Sequence, residues 1–330
     1  MAGNKGSKLV LLFVYKILME ETDEQHPMTP ALLIERLGDY GYECERKTVY
    51  RHIEALGEFG VDILRSDAEP RGYYVASRDF ELPELRLLVD AVQSSRFISL
   101  KKSQELIEKL GRLASLSEVK QIKKGLHMRG ISKTDNELVY YTLDALYRAI
   151  AANRRISFRY FEYTSTKEKH YRNDGEAYVV SPYAVVWDDE KYYLHAYHEK
   201  YDAISSFRVD RMEGAEVTDL PRLKSEEYAQ YDPSQRSKTA FDQFSGETVT
   251  VVAEFDNRMA GAVIDRFGNS VQMYPLDDGH FTAHFSVEVS PRFLSWLFGF
   301  GTMVRVRSPR SLVERYVAEL DAVKNKYKDE

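Results

Sequence analysis

Val180-Ser-Pro-Tyr-Ala-Val-Val-Trp187, Lys191-Tyr-Tyr-Leu-His-Ala-Tyr197 and Ser206-Phe-Arg-Val-Asp-Arg-Met212 are the runs on which the reading of the fold turns. Each is rich in β-branched and aromatic residues, and turn-forming Asp188-Asp-Glu190 and Glu199-Lys-Tyr-Asp202 separate them. They read as consecutive antiparallel strands, roughly 177–186, 191–197 and 203–209. Upstream, Ile156, Phe158 and Tyr160 alternate with Ser157, Arg159 and Phe161 in a further strand, preceded by a helix over about 138–153. Several short antiparallel strands after one helix predict a small barrel that closes its own edges over residues 136–230.

The side chains on these strands suit an anionic, aromatic ligand. On an extended strand Tyr193, His195 and Tyr197 share one face, and Tyr192 and Leu194 take the other. Arg208 adds a fixed cation, and Ser181 and Tyr183 add hydroxyl donors. Arginine beside stacking aromatics and hydroxyls fits phosphates and bases. Arg208 and Arg211 are three apart and point to opposite faces of a regular strand, so they share a pocket only where the strand bulges or ends in a turn. The competing reading is that about half of these aromatics simply fill the interior of a small barrel.

Working outward toward the N-terminus, residues 1–80 read as three short helices and a hairpin. Leu9, Leu12, Phe13 and Ile17 mark the first helix. Thr29 caps a second, opened by Pro30, and a third over about 45–56 buries Val49, Ile53 and Leu56. Its other face carries Arg46, Lys47, Thr48, Tyr50 and Arg51, while Arg65 and Arg71 fall on the hairpin. This is the layout of a winged helix-turn-helix, whose recognition helix enters the major groove. Residues 1–80 hold 10 basic and 14 acidic residues, so charge alone argues for an ordinary solvated face and the case for DNA rests on topology and side-chain placement. Residues 81–135 read as a helical linker with dimerisation as its role: Pro83 and Ser99 start helices, Leu106, Ile107, Leu110 and Leu113 form a stripe, and Lys123–Lys133 forms a hinge. Residues 247–330 alternate strand, helix, strand, strand, helix, strand and a long last helix, the order of a ferredoxin-like α/β sandwich. Arg305 and Arg307 share one strand face there, for solvent or for a ligand.

The three opening runs together resemble the WYL domain of bacterial transcriptional regulators, with Tyr192 in the name-giving triplet where that family has tryptophan. Arg46-Lys-Thr-Val-Tyr-Arg-His-Ile53 is similar to the recognition helix of the same regulators, and residues 247–330 to the extension that often follows a WYL domain. The resemblance implies an α+β multidomain chain: a winged helix-turn-helix, a helical linker, an Sm-like β-barrel that senses a ligand, and a C-terminal α/β domain. It points to nucleotides or short single-stranded nucleic acid as effectors, bound through Ser181, Tyr183, Tyr193, His195, Arg208 and Arg211.

Composition narrows the rest. A length of 330 residues suggests two or three domains, and 43% hydrophobic with 30% charged residues is that of a globular chain. The longest apolar run, Leu9–Met19, contains Lys16 and falls short of the ~20 residues a membrane span needs. No export signal is visible, so the expected location is cytoplasmic, with no membrane partner. A single cysteine, Cys44, allows no intrachain disulfide and no cysteine-based zinc site, and no cofactor or metal is expected. Beside Arg46 and Lys47 that thiol is a candidate for a depressed pKa, against the plainer reading of a buried residue at a helix start. Hydrolase, P-loop and zinc-protease motifs are missing, so no catalytic residues are assigned. His280 and His284 share a strand face without an evident acidic partner in sequence. The expected function is a homodimeric, ligand-responsive regulator that binds double-stranded DNA. The alternatives are an RNA-associated module using the barrel directly and a nucleotide-processing enzyme.

Overall fold

A computed structural model describes residues 3–124, 133–134, 136–224, 226, 228–229, 231–233, 241, 247–277 and 279–328. The chain is a mixed α/β protein that divides into two compact units, Met1–Glu137 and Leu138–Glu330.

The first unit opens with α1 (Gly3–Glu21), α2 (Pro30–Asp39) and α3 (Arg46–Phe59). Thr29 caps α2 by accepting from the Leu32 N–H at 3.3 Å, and Pro30 fills the first turn, where its missing N–H costs nothing. Left-handed Gly60 stops α3 three residues later than the apolar spacing indicated. Val49, Ile53 and Leu56 face Val14, Ile17, Leu18, Leu33 and Leu37 in one core. Strands β1 (Ile63–Ser66) and β2 (Gly72–Val75) pair antiparallel, and Met28 bridges to Tyr73. A Cβ on Gly72 would sit 2.4 Å from the Met28 carbonyl carbon, so this crossing of chains requires glycine.

The rest of the unit is helical: α4 (Leu82–Ser94), α5 (Leu100–Gly111) and α6 (Leu116–Lys124). Ser99 caps α5, and Ser115 forms a reciprocal capping box with Glu118 at the start of α6. Leu85, Val89, Ile107, Ala114 and Ile122 form the core, with Leu110 packed against it, whereas Leu113 is exposed. The hinge expected over Lys123–Lys133 lies mostly outside the described residues.

The second unit begins with α7 (Val139–Ala151), followed by β3 (Arg154–Tyr163), β4 (Lys169–Tyr171), β5 (Tyr178–Asp188), β6 (Lys191–His198), β7 (Ala203–Arg208) and β8 (Met212–Pro221). The sheet runs β4-β3-β5-β6-β7, and β8 also pairs with β3. Leu146 and Ala149 of α7 pack on Ile156, Phe158, Leu194, Ala196 and Phe207. The expected edge-to-edge closure is not made. Among the described residues no ladder joins β7 to β8; a 3₁₀ turn at Val209–Arg211 connects them, and the sheet is a curled half-barrel. The turn takes its three residues out of extended geometry where the last ladder would have to begin, and buried Val209 anchors it.

The chain then forms β9 (Thr248–Asp256), α8 (Ala260–Phe267), β10 (Gln272–Pro275), β11 (His280–Glu288), α9 (Pro291–Phe298), β12 (Val304–Ser308) and α10 (Arg310–Lys326). All ladders are antiparallel, in the order β10-β11-β9-β12. One sheet face, with Val251, Ala253, Phe255, Phe281, Ala283, Phe285 and Val287, is buried with Val263 of α8 and with Phe293, Leu294 and Leu297 of α9.

Candidate functional site

The apolar stripe of α3 fixes which of its side chains reach solvent. Arg46, Lys47, Tyr50 and Arg51 are exposed and Thr48 is half-buried. Arg46 Nε donates to the Tyr50 hydroxyl at 3.2 Å, and its guanidinium lies 5.7 Å from the Tyr50 ring centre. Arg51 Nη2 donates to Thr48 Oγ1 at 3.0 Å. Both arginines are thus held by neutral partners, which orient the guanidinium and leave its charge for a phosphate or base edge. The hairpin cations differ: Arg65 meets Asp67 at 3.0 Å and Arg71 meets Glu69 at 3.2 Å. Those exposed pairs contribute little and exchange readily for another anion.

In the second unit a cavity of about 510 Å³ opens at the free edge of β7, within the range of small-molecule sites. Tyr193, Arg208 and Arg211 line it. The turn after β7 answers the problem of the two arginines: Arg208 caps the 3₁₀ turn and Arg211 ends it, one three-residue turn apart. Arg208 grips Asp210 with Nε at 3.1 Å and Nη2 at 2.7 Å, and its backbone N–H donates to the Tyr160 hydroxyl. Burial alone would lower the Arg208 pKa, but Asp210 outweighs it and holds the value above the ordinary one. Arg211 Nε is buried and unpaired by any hydrogen bond among the described residues. Burial pushes the Tyr160 phenol up, against the nearby charges of Arg211, Arg208 and Arg172. Arg172, Lys191 and Arg292 also line the cavity, which brings five cations to its wall; Arg172 pairs there with Glu162, as Arg208 does with Asp210 and Lys191 with Asp189 at 3.3 Å. Sequence reading missed Tyr160, Arg172, Lys191 and Arg292 as site residues. Tyr160 was legible as a strand aromatic, but nothing in the linear spacing brings Arg292 from α9 to β7.

Ser181, Tyr183 and His195, expected in the same pocket, do not line it. They are covered by the segment after β8. Leu223 N–H donates to Ser181 Oγ at 2.9 Å, and the Tyr183 hydroxyl donates to the Leu223 carbonyl. His195 is fully buried with Nδ1 2.7 Å from the Tyr231 hydroxyl. Arg222 lies over the Tyr183 ring at 4.6 Å, and Tyr228 meets Tyr183 and Tyr197 edge-on or tilted. The six expected ligand residues therefore separate into an open basic end (Tyr193, Arg208, Arg211) and a strap-covered end. The sequence shows β6 facing one way; it does not show that a later segment returns to cover half of that face.

Of two smaller readings, the one for Cys44 keeps its plainer form and the one for His280 changes. Burial and neighbouring Glu45 push the Cys44 thiol up, against the weaker pull of Arg51, so it is not an activated thiolate. His280 does have an acidic partner, Asp277 at 2.9 Å, supplied by the turn before β11. Arg307 pairs with Glu254 across the open sheet face, while Arg305 is exposed on the same face. Among the described residues no group of three or more His, Cys, Asp or Glu is placed to hold a metal ion, and no helix is long and apolar enough to cross a membrane.

The WYL domain family model matches residues 141–217 and the WCX domain family model matches residues 247–323, so the chain carries both domains. A search of curated proteins finds no match. Among solved structures, the chain is similar to proteasome accessory factor B/C (PafBC) of Arthrobacter aurescens at 19% identity, over 98% of this chain and 49% of that one, with a TM-score of 0.29. It spans about half the length of that protein. It is also similar to a CRISPR Cas-related protein at 13% identity, over 98% of this chain and 84% of the other, with a TM-score of 0.36.

Proposed function

We propose that this chain, which carries a WYL domain followed by a WCX domain, is a ligand-responsive, DNA-binding transcriptional regulator that acts as a cytoplasmic homodimer. In this reading residues 1–80 are a winged helix-turn-helix with α3 as recognition helix, and α4–α6 form the dimerising linker. The half-barrel is an Sm-like sensor, and β9–β12 with their helices are a ferredoxin-like partner domain. Arg46, Lys47, Thr48, Tyr50 and Arg51 contact double-stranded DNA, with Arg65 and Arg71 on the flanking backbone. No catalytic step and no cofactor is assigned. The observation that carries the DNA reading is the α3 face, where a buried apolar stripe leaves two oriented arginines in solvent.

The sensor reading rests on the five cations and the tyrosines around the β7 edge, which suit a nucleotide or short single-stranded nucleic acid. Occupancy changes operator affinity only if the ligand binds the two conformations of the dimer unequally. Fluorescence-anisotropy titration with duplex DNA tests the first claim: binding that Arg51→Ala leaves unchanged would reject the role of α3. Mass spectrometry of small molecules released from denatured protein tests the second. Recovery of a neutral ligand, or of none even from protein purified at low salt, counts against the anionic effector.

A further inference from the structure

The acidic winged module sits badly with the charge that DNA binding needs. Binding to a polyanion draws most of its sequence-independent strength from neutralised phosphates. Yet residues 1–80 carry four more acidic than basic side chains. The balance reverses in the linker: residues 100–124 hold seven basic and three acidic side chains, a net of +4 in a chain whose total is −6.

The excess is not cancelled locally on α6. Its one acidic residue, Glu118, is committed to the capping box with Ser115 at the first turn. Lys120, Lys123 and Lys124 are exposed, and their spacing of i, i+3, i+4 puts them on one helix face, away from buried Ile122. On α5, by contrast, Lys102 is paired with Glu105 at 2.9 Å.

The same helix is fastened to the winged module by polar contacts across some ninety residues of sequence. Ser115 Oγ donates to Asp23 at 2.6 Å, while Asp23 also takes His26 Nδ1 at 2.7 Å and His26 Nε2 meets Ser117 Oγ at 3.4 Å. Two residues beyond His26, Met28 bridges to Tyr73 in the hairpin. Just before Asp23, the Thr22 hydroxyl accepts from the Val75 N–H of β2. The turn between α1 and α2 therefore holds the start of α6 on one side and the wing on the other.

We infer that the Lys120–Lys123–Lys124 face of α6 is a second DNA-contact surface, binding backbone phosphates beside those reached by the wing. The partner is duplex DNA, bound without base readout, because lysines on one exposed face act as point charges and fix position rather than sequence. The inference rests on the DNA-binding reading of α3.

The test uses the full chain and mixed-sequence duplexes of about 15 and about 40 base pairs, titrated by anisotropy over a series of salt concentrations. Replacing Lys120, Lys123 and Lys124 together by Gln should weaken binding to the long duplex roughly 10-fold or more at low salt and reduce its salt slope by about 2–3, near one for each phosphate no longer neutralised. Binding to the short duplex should change little. The substituted residues are exposed, so thermal unfolding should be unaltered. A slope and length dependence equal to those of the unsubstituted protein would overturn the second surface alone, provided Arg51→Ala still weakens binding. A chain that binds neither duplex would overturn the α3 reading and this inference together. Equal losses on the long and short duplexes would also sink it, by showing a general charge effect.

Discussion

Two sets of arginines carry the proposed function, and their surroundings are opposite. On α3, Arg46 and Arg51 stand on a convex helix and are steadied by a phenol and a hydroxyl, both neutral. At the β7 edge, Arg208 is about a quarter exposed and clamped by a carboxylate, and Arg211 is partly buried with Nε unpaired. An exposed, uncompensated arginine fits a partner that brings many phosphates and its own wide surface. A half-buried arginine with a fixed counter-ion holds its shape and offers an anion a prepared cation rather than a flexible one. The lesson is that the same residue type reads as a surface for a polymer in one setting and as a binding site for a small anion in the other.

Substitutions sharpen that contrast or break it. Arg208→Ala should have the largest effect: it removes both hydrogen bonds that the guanidinium gives Asp210 and costs about 2–3 kcal/mol of stability by urea unfolding, along with ligand binding at the β7 edge. A stable Arg208→Ala protein with unchanged ligand affinity would dissolve the distinction. Arg51→Ala should cost about 1–3 kcal/mol in operator binding while moving unfolding by less than about 0.5 kcal/mol. A drop in stability there would show that α3 is braced through its arginines after all.

Tyr231→Phe comes next, with about 1 kcal/mol of destabilisation expected because buried His195 loses the hydrogen bond between its Nδ1 and the Tyr231 hydroxyl. Its ligand affinity should be unchanged if the strap-covered end of β6 is structural, and an increase would mean that the strap competes with the ligand. The wing pairs should matter least: Arg65→Ala with Arg71→Ala leaves unfolding within error and lowers the salt slope of DNA binding by about one for each phosphate released. A pH titration separates α6 from all of these. Burial alone would raise Asp23, but hydrogen bonds from Ser115 and His26 hold its carboxyl below its ordinary value. The clasp is therefore intact above the ordinary carboxylate range and fails as pH falls through the depressed value, and Asp23→Asn should flatten that acid limb.

Local chemistry was the legible part. Thr29 before Pro30, Ser99 before α5, the buried spacing of Val49, Ile53 and Leu56, and the alternation in β3 each express a capping or periodicity rule that acts within a few residues. The arginine pair at 208 and 211 was legible only as a condition, since the sequence shows the three-residue spacing and not the turn that makes it useful. Arg292, the strap over His195 and the clasp from Asp23 to Ser115 had no sequence signal at all.

By itself, then, the sequence determined most of the helices and strands, though not α6, β4 or β8, together with their order and the chemical kinds of side chain on each face, because those depend on neighbours within a turn or a pleat. Tertiary structure decided which of those side chains meet. It left the half-barrel open at β7, covered one end of β6 and exposed the other, and drew a cation from α9 to the gap. Contacts between residues tens of positions apart depend on how whole elements pack, and no spacing rule along the chain encodes that.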